Sequence, residues 1–254
     1  MPFFDTPGPL VFAHRGGSAL GPENTIAAFD AGMRAGADGL ELDVHLSADG
    51  IVVVHHDETL DRTTNGSGPI AARTAAELAR LDAGRGEGVP TLREVLARYD
   101  VPTIIEIKVN SEAAGLAVLD EVQRANAVER VCAGGFGLRA LQAIRAAEPR
   151  LATSAAQFEA RMEVYRGWIG WPPQGVPYGG FQIPEMAEGI RVVSPRFIER
   201  AHRRGLKVQV WTVDDEDDMR RLLEWGVDGL ITNRPDAAVR VRDAFVAARQ
   251  PARA

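Results

Sequence analysis

The strand across residues 39–44, GLELDV, constrains the fold of this chain most, because apolar residues flank each of its two carboxylates. Period-2 alternation places Glu41 and Asp43 on one face of the strand and the aliphatic side chains on the other. The exposed edge of a β-sandwich could produce the same alternation. This strand, however, follows a strand–helix unit, and such strands usually lie in a parallel sheet buried on both faces. Two unpaired carboxylates there would be very costly, and a hard divalent cation such as Mg²⁺ or Ca²⁺ would relieve that cost.

The unit before that strand carries an acid/base group and a cation at its strand end. Residues 10–13, LVFA, form a short apolar run that predicts a buried strand, and His14 and Arg15 follow it directly. Two glycines come next and permit a close approach of the backbone to a ligand. A helix is predicted to start across residues 22–24, PEN, because apolar residues then recur at helical spacing.

Strand-like and helix-like stretches alternate through the rest of the chain. The strands of eight predicted strand–helix units are residues 10–13, 39–44, 102–108, 130–136, 151–156, 181–183, 206–213 and 229–232. A short internal repeat supports this pattern, since GADGL at 36–40 recurs as GVDGL at 226–230, each time where a helix ends and a strand begins. Over 254 residues, eight such units favour a (β/α)₈ TIM barrel over an open doubly wound sheet. The sequence contains no Gly-rich dinucleotide fingerprint and no phosphate-binding P-loop.

The alternation is interrupted after the second strand. Residues 52–56, VVVHH, predict a short accessory strand, and residues 58–90 predict an irregular insertion with one short helix at about 74–81. A second irregular stretch, residues 165–180, contains two tryptophans and three prolines and is predicted to be a long loop. We therefore expect residues 1–254 to form a single catalytic barrel domain with a small insertion at about 58–90.

Composition limits the classes of function that the chain can have. The net charge of −6 argues against non-specific nucleic-acid binding, which needs a basic surface. Cys132 is the only cysteine, so neither an internal disulfide nor a cysteine metal cluster is expected. No apolar stretch is long enough to cross a membrane, and the first residues do not resemble a signal peptide. These features predict a cytoplasmic protein without stable membrane insertion, and they leave the oligomeric state open.

In a TIM barrel the reactive residues lie at the carboxyl ends of the strands. The residues predicted to lie there are His14, Glu41, Asp43, His56, Glu106, Lys108 and Trp211. Glu106 would join Glu41 and Asp43 in a site of oxygen ligands, which suits Mg²⁺ or Ca²⁺ better than zinc. Arg15 and Lys108, together with the metal, would offset charge on a phosphoryl oxygen. One histidine would accept a proton from the nucleophile and the other would donate one to the leaving alkoxide, which predicts phosphate-ester chemistry.

The motifs of this chain resemble those of the glycerophosphodiester phosphodiesterase family from residue 10 to about residue 240. They are AHRGGSALGPENTIAAF, GLELDVHLSADGIVVVHHDETLDRTT, IIEIK, VWTVD and GVDGLITNRP. The resemblance implies a TIM barrel with a small insertion after the second strand, and hydrolysis of glycerophosphodiesters to sn-glycerol 3-phosphate and an alcohol. It also implies that His14 and His56 are the acid/base pair. The ligands that it implies are Glu41, Asp43 and Glu106 for one divalent cation, Mg²⁺ or Ca²⁺, and Arg15 and Lys108 for the phosphate.

Two positions depart from the pattern of that family. Where many members have WTVN, this chain has WTVD at residues 211–214, so Asp214 adds a carboxylate near the mouth that could alter headgroup preference. His55 duplicates the histidine of the HD motif. Because neighbours in a strand face opposite ways, only one of the two histidines can face the metal, and the spacing to Asp57 favours His56.

Several other residues are weighed against purely structural roles. We expect His45 to be a rim or surface residue rather than a ligand, and His202 to be a solvated residue in the last turn of a helix. Trp211 lies at a strand end, which favours a role in the wall of the substrate site over a role in the core. Gln182, which projects from the sixth strand, is predicted to contact substrate.

Three further residues keep two interpretations each. Trp168 and Trp171 could form a lid that contacts an alkyl or glycerol group, or a satellite core beneath a long loop, and the second interpretation is slightly favoured. Arg62 could anchor the insertion by hydrogen bonds or could touch substrate. The sequence does not decide between these two roles of Arg62.

Three hypotheses for function follow from these observations. The leading one is metal-dependent hydrolysis of a small-molecule glycerophosphodiester, whose headgroup the sequence does not indicate. The second keeps the barrel and the metal but takes a lysophospholipid or another lipid phosphodiester, and an extended apolar groove near Trp168, Trp171 and Tyr178 would favour it. The third is a non-catalytic barrel that binds phosphodiesters. The presence of both histidines and all three carboxylates argues against the third hypothesis.

Overall fold

The computed structural model describes residues 2–169 and 175–249, which form parallel strands surrounded by helices. The strands are β1 (Leu10–His14), β2 (Gly39–Leu46), β3 (Val52–Val54), β4 (Thr103–Ile107), β5 (Val131–Gly134), β6 (Ala152–Thr153), β7 (Gly180–Pro184), β8 (Met186–Ala187), β9 (Ile190–Arg191), β10 (Lys207–Trp211) and β11 (Gly229–Thr232). The α-helices are α1 (Ile26–Arg34), α2 (Ala75–Leu78), α3 (Leu92–Arg98), α4 (Glu112–Arg124), α5 (Leu138–Ala147), α6 (Gln157–Trp168), α7 (Pro195–His202), α8 (Glu216–Trp225) and α9 (Pro235–Arg249). Two short 3₁₀ helices span Pro2–Asp5 and Ile70–Ala72.

Eight of these strands follow one another around a nearly closed barrel. Their order is β6, β5, β4, β2, β1, β11, β10 and β7, and every neighbouring pair along this path is parallel. At the seam between β6 and β7, Ser154 and Gly180 form a parallel bridge. The predicted (β/α)₈ barrel is therefore confirmed. β3 pairs antiparallel with β2 outside this path, and β8 and β9 form a small antiparallel hairpin.

The register of the strands brings reactive residues to one end of the barrel. His14 at the end of β1 pairs with Glu41 in β2, and Asp43 pairs with Glu106 in β4. The carboxyl ends of parallel strands lie at the same edge of a sheet, so these four side chains come from adjacent strands at a common level. Residues 39–45 of β2 are all buried, as the flanking apolar residues predict.

Apolar side chains pack on both sides of the strands. Within the barrel the buried cluster contains Phe3, Phe4, Phe12, Ile104, Cys132, Ala152 and Ile231. The aliphatic face of β2 packs outward into a larger cluster that it shares with residues of α1, α3, α4 and α5. Full burial of one such aliphatic or aromatic side chain contributes about 1.5–3 kcal/mol. This packing fixes the strand ends that carry the polar residues.

The segment between β3 and α3 has a small core of its own. Its buried side chains are Leu60, Ile70, Leu78, Ala83 and Val89, and they pack with Val53 of β3. The short helix predicted in this segment is present as α2, where Thr74 and Glu77 form a reciprocal capping box at its start. The capping box is the local reason that a four-residue helix forms in an otherwise irregular stretch.

Two boundaries differ from the sequence-based expectation. The helix expected to start across residues 22–24 begins at Ile26 behind a Thr25 N-cap, because Asn24 has a left-handed φ of 59°. The loop expected over residues 165–180 is wrong for its first four residues, which continue α6. Glu159 favours that helix by accepting a hydrogen bond from the backbone of Ala156 and by pairing with Arg145. Among the described helices, none has both the length and the apolar character needed to cross a membrane.

Candidate active site

Three carboxylates form the centre of the candidate site. Glu41 and Asp43 project from β2 and are almost fully buried, and Glu106 projects from β4. One oxygen from each carboxylate lies within 4.8 Å of the others. Burial raises the pKa of Glu41 well above its usual range, and the charges on Asp43 and Glu106 raise it further. Oxygens at this spacing can be reached by one cation with ligand distances of about 2.3–2.6 Å, so the donor set fits a hard divalent ion.

The two predicted phosphate-binding cations lie against these carboxylates. The Lys108 ammonium is 2.8 Å from Asp43 Oδ1 and also pairs with Glu106. Arg15 adopts a left-handed φ of 51°, which directs its backbone N–H to Glu41 Oε2 at 3.0 Å. Its guanidinium Nε is buried 3.2 Å from Asp43 Oδ2 without a hydrogen bond of good geometry. Both cations therefore offset carboxylate charge, and both line the cavity described below.

His14 is the last residue of β1 and lies at the edge of the carboxylate cluster. Its Nε2 is 3.8 Å from Glu41 Oε2, and its Nδ1 is 2.7 Å from Asn233 Oδ1. Burial lowers the pKa of His14, and the hydrogen bond with Asn233 only partly opposes that effect. His14 therefore combines one solidly bonded ring nitrogen with a second that faces the cavity.

Asn233 was not among the residues singled out from the sequence. It lies directly after β11, and its Nδ2 donates to Asp214 Oδ2 at 2.7 Å. Asp214, the expected extra carboxylate near the mouth, does not itself line the cavity. Its oxygens accept hydrogen bonds from Thr232 and Asn233, and any effect on headgroup preference stays a prediction. Two sequence signals could have indicated Asn233: its position at the end of a barrel strand and its place in the motif GVDGLITNRP.

His56 is held by charged residues rather than by an amide. Its Nδ1 lies 2.6 Å from Asp57 Oδ1, and Arg62 donates to both oxygens of Asp57. Arg62 also donates twice to Glu23, so it anchors the segment after β3 to the residues before α1. The hydrogen bonds from Arg62 hold the pKa of Asp57 well below its usual range, although burial acts in the other direction. Of its two interpretations, Arg62 takes the anchoring one, and Glu23 is a second partner that the sequence did not indicate.

The other histidines lie outside the cavity. His55 is buried, and its Nε2 contacts the carbonyl oxygen of Thr59 at 3.2 Å. His45 is also buried, and its Nε2 contacts the carbonyl oxygen of His56 at 3.0 Å, so the expected rim or surface position is wrong. His202 lies at the end of α7, as expected, but pairs with Asp228 at 2.8 Å rather than with solvent alone.

One cavity of about 390 Å³ brings the predicted site residues together. Those that line it are His14, Arg15, Glu41, Asp43, His56, Glu106, Lys108, Gln182 and Trp211. Trp211 donates from Nε1 to the carbonyl oxygen of Gln182 at 2.9 Å and meets the ring of Phe136 edge-on. The Gln182 amide in turn donates to Gln209 Oε1 at 3.0 Å. These contacts fix the wall of the cavity next to the carboxylates.

The cavity continues away from the carboxylates between α6 and the β8–β9 hairpin. We call this part the apolar arm, and its main lining residues are Phe136, Val164, Tyr165, Trp168, Ile190 and Val192. Trp168 is 59% exposed and meets the ring of Tyr165 edge-on, so the satellite-core interpretation is wrong for this tryptophan. Trp171 lies outside the described residues. Tyr178 is buried against Phe181 and does not line the cavity.

Comparison with known proteins gives a consistent result over most of the chain. A sequence model of the glycerophosphoryl diester phosphodiesterase family matches residues 14–237. A glycerophosphodiester phosphodiesterase of Caldanaerobacter subterraneus is 36% identical over 91% of this chain and 96% of that protein. One of Bacillus subtilis is 31% identical over 93% of this chain and 87% of that protein.

Solved structures agree with the sequence comparison. A glycerophosphodiester phosphodiesterase from Agrobacterium tumefaciens is 30% identical, with a TM-score of 0.76 over 91% of this chain and 99% of that one. A phosphodiesterase from Oleispira antarctica, solved with its product sn-glycerol 3-phosphate, is 28% identical, with a TM-score of 0.75 over 92% of this chain and 97% of that one.

Proposed function

Because this chain belongs to the glycerophosphoryl diester phosphodiesterase family, a family of phosphoric diester hydrolases, we propose that it hydrolyses glycerophosphodiesters to sn-glycerol 3-phosphate and an alcohol. The observation that carries the proposal is the placement of His14 and His56 in one cavity with three carboxylates whose oxygens lie within 4.8 Å of one another. The Oleispira antarctica phosphodiesterase, which was solved with the same phosphate product, supports the choice of substrate class.

We further propose that Glu41, Asp43 and Glu106 hold one divalent cation, Mg²⁺ or Ca²⁺. When bound, such an ion supplies positive charge that stabilises the negative phosphoryl oxygens. Lys108 and Arg15 would then turn from the carboxylates toward the substrate phosphate, because the ion takes over the neutralisation of the three acids. Their positions support this, since both cations contact Asp43 and line the same cavity as the three carboxylates.

The two histidines divide the proton transfers of the reaction between them. Water attacks phosphorus, and one imidazole takes the proton that the water loses as the new P–O bond forms. The other imidazole donates a proton to the alkoxide as the old P–O bond breaks, so that charge and protons balance. In both residues Nδ1 is bound by a neighbouring side chain, to Asn233 in His14 and to Asp57 in His56, which leaves Nε2 for the substrate.

The proposal is tested by the release of glycerol 3-phosphate from glycerophosphocholine. Protein treated with EDTA is assayed alone and after addition of Mg²⁺ or Ca²⁺, with a chelated-metal blank as the control. We expect release only when a divalent ion is returned. Release without any metal would contradict the cation proposal alone. No release with either ion from glycerophosphocholine or from other glycerophosphodiesters would contradict the activity itself and favour a non-catalytic barrel.

A second candidate substrate is a single-chain phospholipid, hydrolysed at the same phosphorus atom. The apolar arm favours it, because an amphiphile with a phosphodiester at one end and an alkyl chain at the other would fill both parts of the cavity. Among the described residues the exposed large apolar side chains outside this region are Ile51 and Leu116. The others lie just after β5, on α6 or at its end, and on the β8–β9 hairpin, and they are Phe136, Phe158, Tyr165, Trp168, Ile169, Met186 and Ile190. A concentration of exposed apolar groups of this kind marks a binding surface.

The test compares lysophosphatidylcholines of increasing chain length, kept monomeric, with glycerophosphocholine. If the chain lies in the arm, each buried methylene contributes up to about 0.8 kcal/mol, so kcat/KM should rise up to roughly fourfold per carbon. Ile190→Asp should remove this gain and leave glycerophosphocholine turnover unchanged. Ile51→Asp is the matched control, because Ile51 is similarly exposed but does not line the cavity. Equal rates for all chain lengths would contradict this candidate only.

A further inference from the structure

We propose that Asp214 and Asn233 are positioning residues that hold the His14 imidazole with Nδ1 protonated and Nε2 free for proton transfer at the substrate. The inference rests on the proposed function and deepens it. Neither Asp214 nor Asn233 lines the cavity, so both would act on the reaction through His14. The observation that carries it is a chain of hydrogen bonds from Asp214 through Asn233 to His14.

Each bond in this chain has one consistent direction. Asp214 Oδ2 lies 2.7 Å from Asn233 Nδ2, and an ionised carboxylate only accepts, so the amide nitrogen is the donor. This fixes the amide with its Oδ1 toward His14, where it lies 2.7 Å from Nδ1. An amide oxygen also only accepts, so Nδ1 must carry a proton. In the neutral imidazole the unprotonated nitrogen is therefore Nε2.

Other contacts hold the two positioning residues in place. Asp214 Oδ1 accepts from the backbone N–H of Asn233 at 2.8 Å and from the Thr232 hydroxyl at 2.9 Å. Ser18 donates to Asn233 Oδ1 at 2.5 Å. Rotating the Asn233 amide by half a turn would place its oxygen against the Asp214 carboxylate, where both groups only accept, and would remove the acceptor that Ser18 and His14 share. The carboxylate of Asp214 thus selects the amide orientation, and the amide selects the imidazole tautomer.

The substitution Asp214→Asn separates this role from a structural one. The new amide would keep its oxygen toward the two donors of residues 232–233 and present its nitrogen to Asn233. Asn233 would then rotate, accept that new bond with Oδ1, and present its own nitrogen to His14 Nδ1. Every hydrogen bond is retained, because the Ser18 hydroxyl can accept as well as donate. His14 would nevertheless be forced into the opposite tautomer, with its proton on Nε2.

The double substitution Asp214→Asn, Asn233→Asp restores the original tautomer. The amide introduced at position 214 would donate to one oxygen of the carboxylate introduced at position 233, and the other oxygen would again accept from His14 Nδ1. We expect kcat on glycerophosphocholine, at saturating metal, to fall on the order of 10- to 100-fold in Asp214→Asn with KM within about threefold of wild type. The double variant should recover most of that loss.

The ¹⁵N chemical shifts of His14 report the tautomer without relying on turnover. They are assigned by their loss in a His14→Gln variant. Nδ1 should carry the proton in wild type and in the double variant, and Nε2 should carry it in Asp214→Asn. If Asp214→Asn does not fold, Asn233→Ala provides a second variant, and it should lower kcat similarly because the acceptor for Nδ1 is removed.

The control for stability is Asp215→Ala. Asp215 caps α8 by accepting from the backbone N–H groups of Asp217 and Asp218, so its loss should lower the melting temperature and leave kcat unchanged. Wild-type kcat in Asp214→Asn, or a double variant as slow as Asp214→Asn, would overturn the inference. An unchanged His14 tautomer in Asp214→Asn would overturn it as well. A wild-type protein that hydrolyses no phosphodiester but shows the expected tautomers would contradict the proposed function and leave the tautomer control intact.

Discussion

The two histidines of the cavity are held by opposite kinds of partner. His14 is bonded to the uncharged amide of Asn233 at the rim of the barrel. His56 is bonded to the carboxylate of Asp57, and that carboxylate pairs with Arg62. These three residues belong to the segment that follows β3, outside the barrel. The Arg62 side chain is 48% exposed, so the charged support is open to solvent, whereas the His14 ring is largely enclosed.

Because the partners differ, the hydrogen bonds that hold the two histidines are sensitive to different changes. Coulomb attraction between Asp57 and Arg62 depends weakly on angle, and it is reduced by salt because the pair is exposed. The support of His14 depends on which atom donates and which accepts, so a change of one nitrogen for one oxygen reverses it without altering any distance. We therefore expect the first support to respond to ionic strength and the second to respond only to hydrogen-bond chemistry.

The largest expected effect comes from removing either histidine. His14→Ala and His56→Ala should each lower kcat by roughly 10² to 10⁴-fold, the usual contribution of a general acid or base. If the two histidines serve one reaction, the kcat of the double variant should lie within a small factor of the kcat of the slower single variant. The reason is that residues that act as a unit do not contribute additively to the activation free energy. Folding and metal binding should be nearly unchanged, as checked by thermal melting with and without metal.

A single variant that keeps near wild-type kcat would remove that histidine from the acid/base pair. Fully multiplicative losses in the double variant would show instead that the two residues act independently. His55→Ala is the matched control for His56→Ala, because His55 is the neighbouring histidine but lies outside the cavity.

The second largest effect concerns the carboxylates that lie between the two supports. The pKa of Glu41 is higher in the folded protein than in the unfolded chain, so folding favours the protonated form of its carboxyl group. Stability of the metal-free protein should therefore fall as pH rises from the unfolded pKa of Glu41 toward its folded pKa. A bound cation removes this penalty, so the gain in melting temperature on adding Mg²⁺ or Ca²⁺ should be larger at about pH 7.5 than at about pH 5.5.

The size of this gain can be estimated from mass action. At about 100-fold excess of metal over Kd the stabilisation is about 2.7 kcal/mol, which corresponds to roughly 5–10 °C for a chain of this length. Differential scanning calorimetry at both pH values measures it. Asp57 and Glu23 have lowered pKa values and are ionised across this pH range, so they do not change the comparison. Equal gains at the two pH values would rule out Glu41 as the titrating ligand.

The sequence predicted the parts of the molecule that follow periodic rules. Alternation in β2 placed Glu41 and Asp43 on one face, and the carboxyl-end rule for parallel strands placed Glu106 beside them. The nine predicted site residues consequently meet in one cavity, although their roles remain predictions. The barrel itself followed from the count of strand–helix units.

The supports of the two histidines could not be predicted in the same way. Asn233 is 219 residues from His14 in sequence, and their contact depends on the path of two loops and on a rotamer. Arg62 lies in an irregular segment, where no period indicates the direction of a side chain. No helix was identified from the sequence where α6 lies, and its last turn was assigned to a loop, because its exposed aromatic residues obscure the apolar stripe that marks a surface helix.

A smaller effect is expected from Arg62→Met, which removes the charged support of His56 and keeps the length of the side chain. Exposed ion pairs contribute about 0.2–1 kcal/mol each, so kcat should fall by roughly two- to tenfold. In wild type, raising the salt concentration should reproduce part of this loss, because salt screens the same pairs. In Arg62→Met the salt dependence of kcat should be weaker.

The matched control for Arg62→Met is Arg98→Met. Arg98 is similarly exposed and pairs with Asp30, but it lies away from the cavity. This variant should change neither kcat nor its response to salt. If Arg62→Met and Arg98→Met gave the same salt dependence, the charged network would not support His56, and the contrast between the two histidines would have to rest on Asp57 alone.

The smallest expected effect tests whether the support of His56 extends to its backbone. His45 contacts the carbonyl oxygen of His56, and burial lowers the pKa of His45, so the neutral ring donates this bond from Nε2. His45→Leu would leave that carbonyl without its donor, at a cost of about 1–3 kcal/mol in unfolding free energy. His55→Leu removes an equivalent bond to Thr59 from an equally buried ring and should cost a similar amount. Only His45→Leu should also lower kcat, by less than about threefold. The reason is that His45 bonds the backbone of His56, a predicted site residue, whereas His55 bonds the backbone of Thr59. Both variants are measured for kcat and for urea unfolding. Equal kcat values for the two would show that the support of His56 comes from the Asp57 side chain alone.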